Sequence, residues 1–150
     1  MTTRFCIAAA LLLSACGPSP EAKEVRKDPT TEAWYADTLK QLNDMNVKAA
    51  DLFHAGRKDD ASAVILKAEP LSNKLLGVTQ PTFAAMAAAS DLDDLYGQML
   101  LSNHNYGWAR MFFQKNLARW KHWTPRTDQT IDRERHAQQE IADCDKFIPE

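Results

Sequence analysis

Apolar residues recur at helical spacing between residues 95 and 123, and this pattern constrains the fold more than any other part of the chain. Steps of three and four residues separate the members of one apolar row: Tyr106, Ala109, Phe113, Leu117 and Trp120. Such spacing is typical of one face of an α-helix. A second apolar row lies beside the first and contains Trp108, Phe112 and Trp123. A helix that is apolar over more than half of its circumference is expected to pack between two neighbours, so the stretch predicts a stack of helical hairpins.

The same periodicity predicts five helices and no strand, which is an all-α fold of antiparallel hairpins in a stack or bundle. The predicted helices occupy residues 31–56, 59–76, 83–102, 106–123 and about 128–147. Thr30 or Thr31 is expected to cap the first helix, and Pro81 or Thr82 to start the third. Pro70 is expected to kink or restart the second helix, because proline removes a backbone hydrogen bond.

Residues 1–15 are typical of an export signal. Arg4 is their only charged residue, and the small or apolar run at residues 5–13 follows it. A transmembrane helix needs about 20 apolar residues, so this run is too short to span a bilayer. A positive start, a short apolar core and small residues before a cleavage site predict a signal peptide that is removed from the mature protein.

The segment Leu13-Ser14-Ala15-Cys16 resembles the lipobox of bacterial lipoproteins, in which the cysteine is lipidated and becomes the first residue after cleavage. The resemblance implies that Cys16 carries several acyl chains, because one chain alone binds a membrane only marginally. An ordinary signal peptide with a chance cysteine is the alternative. Gly17 rather than aspartate follows Cys16, which in enteric lipoproteins resembles outer-membrane sorting. We therefore expect a periplasmic, lipid-anchored protein, with the outer membrane favoured over the inner.

Residues 16–30 are predicted to form a flexible tether between this anchor and the folded domain. Three prolines, six charged residues and a single large apolar residue, Val25, cannot bury enough surface to offset the entropy of ordering. The folded part then spans residues 31–148, which favours one compact domain. The chain has a net charge of −2, and removal of Arg4 with the acid-free signal makes it −3, so nucleic acid is not a predicted partner.

A shift of 48 residues superimposes the first predicted hairpin on the second. It aligns Ala49 with Gly97, Leu52 with Leu100, Gly56 with His104, Ala61 with Ala109 and Ile65 with Phe113. This alternation of small and large residues resembles the tetratricopeptide repeat, in which paired helices nest across a tight turn. The period here is longer than the roughly 34 residues of that family. A five-helix bundle that uses the same small and large pairing is the alternative.

No motif in the sequence predicts a catalytic, metal or cofactor site. The four histidines lie in different predicted elements: His54, His104, His122 and His136. The acidic residues Asp91, Asp93 and Asp94 have no partner base beside them and are better explained as a solvated face. Cys144 is the single cysteine left after the signal and the anchor, and we interpret it as a small core residue. Disulfide pairing with another chain is the alternative. The protein is therefore not predicted to be an enzyme.

Two groups of residues are predicted to bind a partner protein. The inner helices of the hairpins contribute Asn46, Asp51, His54, Asp94 and Gln98. The fourth helix contributes Arg119, Trp120 and Trp123 within a basic cluster suited to an acidic peptide, a glycan or lipid headgroups. Pairing of these cations with the helix dipole, with the tryptophans in the core, is the alternative interpretation.

The resulting hypothesis is an envelope adaptor that binds another protein in a helical-repeat groove. The competing hypothesis is a carrier of a small apolar ligand, built in the interior of a helical bundle. Aromatic residues would then line a cavity: Trp108, Phe112, Phe113, Trp120 and Trp123.

Overall fold

The computed structural model describes residues 27–148, so the predictions for the signal peptide, for Cys16 and for most of the tether lie outside the described residues. Within residues 27–148, one 3-10 helix, η1 (Pro29–Thr31), precedes five α-helices and no strand is present. The helices are α1 (Ala33–His54), α2 (Lys58–Leu76), α3 (Phe83–Ser102), α4 (Tyr106–Lys121) and α5 (Asp128–Asp145). The prediction of an all-α fold is confirmed.

Two predictions about the first two helices are wrong. Thr30 and Thr31 do not cap α1, because they belong to η1, where the Asp28 carboxylate accepts a hydrogen bond from the backbone N–H of Thr30 at 2.9 Å. Pro70 does not interrupt α2, which runs continuously through it. The proline is exposed, and the buried Ala68 and Leu75 on either side of it hold the helix against its neighbours. Packing therefore outweighs the backbone hydrogen bond that proline removes.

The helices alternate in direction. The Asn46 amide donates to the Ala88 carbonyl oxygen at 2.8 Å, and the Thr82 N–H donates to the Tyr35 hydroxyl at 3.0 Å, so α1 and α3 run parallel. Helices α2 and α4 run in the opposite direction, since each packs against the preceding helix across a short turn. Helix α5 covers α4. The end of the stack where α1, α3 and α5 begin is called the entry end here, and the opposite end the far end.

The 48-residue correspondence is present in the backbone of the two turns at the far end. Gly56 and His104 occupy equivalent positions, and both are left-handed, with φ of 76° and 60°. In the first turn the Arg57 N–H donates to the Leu52 oxygen at 2.9 Å, and in the second the Asn105 N–H donates to the Leu100 oxygen at 2.9 Å. In both turns this hydrogen bond closes the C-terminal end of the first helix of the hairpin in the same way. The two hairpins therefore share one turn geometry.

Small residues bring the paired helices together as the sequence predicts. Ala49, Ala61 and Ala109 are completely buried. Gly97 faces Phe113 so closely that a Cβ atom added to it would lie 2.6 Å from the ring carbon Cε1. Cys144 is buried beside Ala109 and Phe113, as predicted for a core residue. In the described part of the chain, every helix is too short or too polar to cross a bilayer.

Candidate functional site

A cleft opens between α2 and α4, with α3 as its floor, and we call it the α2–α4 cleft. Its lining residues are Ile65, Leu66 and Glu69 of α2, Leu92, Asp93 and Tyr96 of α3, and Phe112 of α4. Its volume is about 200 Å³, which is below the roughly 300–1,000 Å³ typical of sites for small molecules. A single large side chain of another molecule is a better match to this volume than a whole ligand.

Large apolar side chains remain exposed around the cleft. Leu66 on the α2 wall is 60% exposed, and Trp108 and Met111 on α4 are 63% and 45% exposed. Trp108 precedes Phe112 by four residues, so the two rings lie on the same side of α4. The apolar surface therefore continues from the cleft along α4 toward the far end. Contiguous exposed apolar surface of this kind marks interaction sites on soluble domains.

A buried ion pair lies under the α4 wall. The Asp93 carboxylate accepts from Lys115 Nζ and from Arg119 Nη2, each at 2.9 Å. The Arg119 and Asp93 side chains are 7% and 9% exposed, whereas Lys115 is 54% exposed. Lys115 Nζ also lies 5.8 Å from the centre of the Phe112 ring. The pair joins α3 to α4 and places one cation at the rim of the cleft.

Further hydrogen bonds complete this network at the α3–α4 contact. Arg119 donates to the Asn116 side-chain oxygen, and the Asn116 amide donates to the Ser90 carbonyl oxygen at 3.0 Å. Trp120 Nε1 donates to the Ser90 hydroxyl at 2.8 Å. Buried polar groups that are all paired in this way fix the relative position of two helices.

No protein-family model, curated protein or solved structure matches this chain. Within residues 27–148, no group of three or more His, Cys, Asp or Glu side chains is arranged to hold a metal ion. The chemistry of the cleft is that of its lining residues. Leu92, Tyr96 and the paired Asp93 form the floor, the acid Glu69 lies on one wall, and the cation Lys115 lies beside the other.

The eight residues predicted to bind a partner do not form one site. Arg119 and Trp120 are buried, and their polar groups bond inside the protein. Trp123 is half-buried at the entry end, with its ring 5.9 Å from that of Phe83. Asp51 and His54 are exposed near the far end of α1, and Asn46 bonds to α3.

Asp94 and Gln98 are brought together at the contact between α3 and α5. The Gln98 amide donates to the Asp94 carboxylate at 2.9 Å, and His136 Nε2 lies 3.1 Å from the other Asp94 oxygen. One turn earlier, Arg133 donates to Asp91 at 2.6 Å. These contacts join two parallel helices rather than leave a free groove at this position.

Burial raises the pKa of Asp94 above its ordinary value of 3.8, although the neighbouring His136 opposes this shift. Burial likewise raises the pKa of Glu140 above 4.5, and His136 again opposes it. Raised acid pKa values mean that the folded protein binds more protons than the unfolded chain once the pH exceeds the ordinary values. The contribution of these two carboxyls to the free energy of unfolding should therefore fall as the pH rises through the window that starts near pH 4, until both are ionised in the folded state.

The double variant Asp94→Asn, Glu140→Gln should lose this fall, so its stability relative to the parent protein should increase with pH across the window. Urea denaturation at a series of pH values measures the difference. Asp143→Asn is a control of opposite sign, because hydrogen bonds from Lys146 and Gln139 lower the pKa of Asp143. Parallel pH profiles for the parent and the double variant would contradict the assignment.

Sequence periodicity does not single out the cleft, because it cannot tell which apolar residues lie outside the core. Leu66 has the exposed Ala63 and Glu69 three residues away on either side, and it is absent from the α2 stripe. Trp108 belongs to an apolar row, but nothing in the sequence indicates that this row lies outside the core. An isolated large apolar residue on an otherwise polar helix face is the signal that points to Leu66.

Proposed function

We propose that the protein is a lipid-anchored envelope protein that binds another protein through the α2–α4 cleft. The segment Leu13-Ser14-Ala15-Cys16 directly behind a short apolar run supports the anchor. The observation that supports protein binding most strongly is the exposure of Leu66, Trp108 and Met111 beside the cleft. Large apolar and aromatic anchors that enter pockets supply most of the binding energy at protein interfaces.

The charges at the cleft indicate the chemistry of the partner segment that would fit it. Glu69 is exposed, and within the described part of the chain no cation lies within ion-pair distance of its carboxylate. Asp93 is already paired with two cations. An amphipathic helix that inserts one large apolar side chain and places a lysine or arginine one turn away fits this arrangement. The charge pair would then fix its register.

Site-specific photo-crosslinking in the native envelope tests the proposal. A photoreactive residue at position 66 or 111 should give one adduct of defined mass, whereas the same residue at position 47 should not. Val47 is the matched control because it is 63% exposed, as an apolar residue on α1, and does not line the cleft. Glu69→Lys should reduce the adduct at position 66, because it repels the partner's cation without touching the core.

The anchor is tested with the same material. Intact-mass analysis should show an acylated Cys16 at the mature N-terminus, and Cys16→Ser should lose both the acyl mass and the adduct. Equal adducts at positions 47 and 66, or an adduct that Glu69→Lys leaves unchanged, would contradict a docking site in the cleft.

A further inference from the structure

The described chain begins at the entry end, next to the α2–α3 loop and to the α4–α5 loop, and the latter carries His122, Trp123 and Arg126. Residues 27–29 line one shallow depression together with Val78, Thr79 and Gln80. Gln80 also lines a second depression, with His122 and Trp123. The start of the described chain, the α2–α3 loop and the α4–α5 loop therefore form one continuous surface.

Half-buried tryptophans and exposed basic residues lie at this surface, and both residue types are suited to the membrane–water interface. Trp123 is half-buried against Phe83, and Trp34 is half-buried under Lys74, whose Nζ lies 4.7 Å from the centre of its ring. Lys121 and His122 are exposed at the end of α4. Tryptophan is enriched at membrane interfaces, and lysine near the surface is attracted to anionic lipids.

Two acids of the entry end have partners within the domain, whereas Glu32 and Asp128 at the same end have no ion pair among residues 27–148. Asp28 accepts two hydrogen bonds from Thr30, at 2.9 and 2.8 Å. Glu134 pairs with Arg126 at 2.6 Å. Within residues 27–148, no carboxylate lies within ion-pair distance of Lys121. The ammonium group of Lys121 is therefore available to a negative surface.

The length of the tether favours contact between the entry end and the membrane. Eleven residues, 16–26, separate Cys16 from the described chain, and they reach at most about 40 Å when fully extended. Helix α1 has 22 residues and is about 33 Å long. To place the far end on the bilayer, the tether would have to run back along the whole stack at nearly its full length. That extension would remove most of the conformational entropy of the tether. Contact at the entry end does not require the tether to be extended.

We propose that the entry end, through Trp34, Lys121, His122 and Trp123, rests on a bilayer surface that contains anionic lipids. The proposal rests on the lipid anchor of the proposed function. In this orientation the helices stand away from the membrane, and Trp108 lies near the far end. The α2–α4 cleft then faces sideways and is open to a partner.

Quenching of tryptophan fluorescence by brominated lipids tests the orientation. The acylated full-length mature protein is reconstituted in phosphatidylcholine vesicles that contain brominated chains and phosphatidylglycerol. Quenching is expected, and Trp34→Phe with Trp123→Phe should remove most of it. Trp108→Phe is the matched control, because Trp108 is the more exposed ring but lies near the far end; this variant should retain the quenching.

Two charge-reversal variants at exposed lysines test the result without disturbing the core. Lys121→Glu should weaken the quenching on vesicles with phosphatidylglycerol, whereas Lys48→Glu, an exposed site in the far half of α1, should not. Quenching that is lost with Trp108→Phe, or an acylated sample without quenching, would overturn the orientation and leave the anchor intact. A chain whose mass shows no acyl group would overturn the anchor itself, whatever protein the cleft binds.

Discussion

Replacing Asp93 with alanine should lower the free energy of unfolding by about 3–5 kcal/mol, the range measured when one partner of a buried ion pair is removed. The Asp93 carboxylate is the counter-ion of both Lys115 and Arg119. Without it, Lys115 can turn its ammonium group to solvent, because this side chain is 54% exposed. Arg119 is 7% exposed and cannot do so. Its guanidinium would stay buried with one neutral acceptor, Asn116.

Urea denaturation at neutral pH measures this loss, and two further variants interpret it. Asp44→Ala removes the exposed Lys40–Asp44 pair and should leave the stability almost unchanged, because both side chains are solvated. Asp93→Leu combined with Arg119→Met should recover part of the loss, because no uncompensated charge then stays buried. If Asp93→Ala were as mild as Asp44→Ala, the α3–α4 contact would not depend on this pair.

The fold follows from the sequence where local chemistry decides it. The predicted bounds of α3 match the structure, because Thr82 caps the helix and its side chain accepts from the Ala85 N–H at 3.2 Å. The predicted close contact of Gly97 with Phe113 is also present. Around Pro70 the local preference gives the wrong result, because the packing of α2 against its neighbours determines the backbone there.

The candidate site follows from the sequence less well, because it depends on which sides of each helix have neighbours. The apolar circumference of α4 correctly predicts packing between two helices, α3 and α5, but those helices leave Trp108 uncovered. The Asp93–Lys115 ion pair could have been found from hairpin geometry. Asp93 and Lys115 both lie eleven residues from His104 at the turn, so an antiparallel hairpin places them opposite each other.

Gly97→Ala should also destabilise the protein, although alanine is the better helix former. The added Cβ atom would lie 2.6 Å and 2.8 Å from two ring carbons of Phe113, which is completely buried. Extra atoms in a packed core cost about 1–3 kcal/mol, and the helix preference for alanine over glycine returns up to about 1 kcal/mol. The steric effect is expected to be larger because the Phe113 ring is completely buried. The expected net loss is about 1–2 kcal/mol.

Gly107→Ala is the matched control for this substitution, since Gly107 lies in α4 with nothing within 4 Å of an added Cβ atom. It should stabilise the protein by up to about 1 kcal/mol through helix preference alone. Both variants are compared by thermal and urea denaturation. Phe113→Leu gives the second test, because a smaller side chain relieves the contact. Gly97→Ala should therefore be less harmful in the Phe113→Leu background than in the parent protein. Additive effects of the two substitutions would show that the helices of the second hairpin do not pack through this pair.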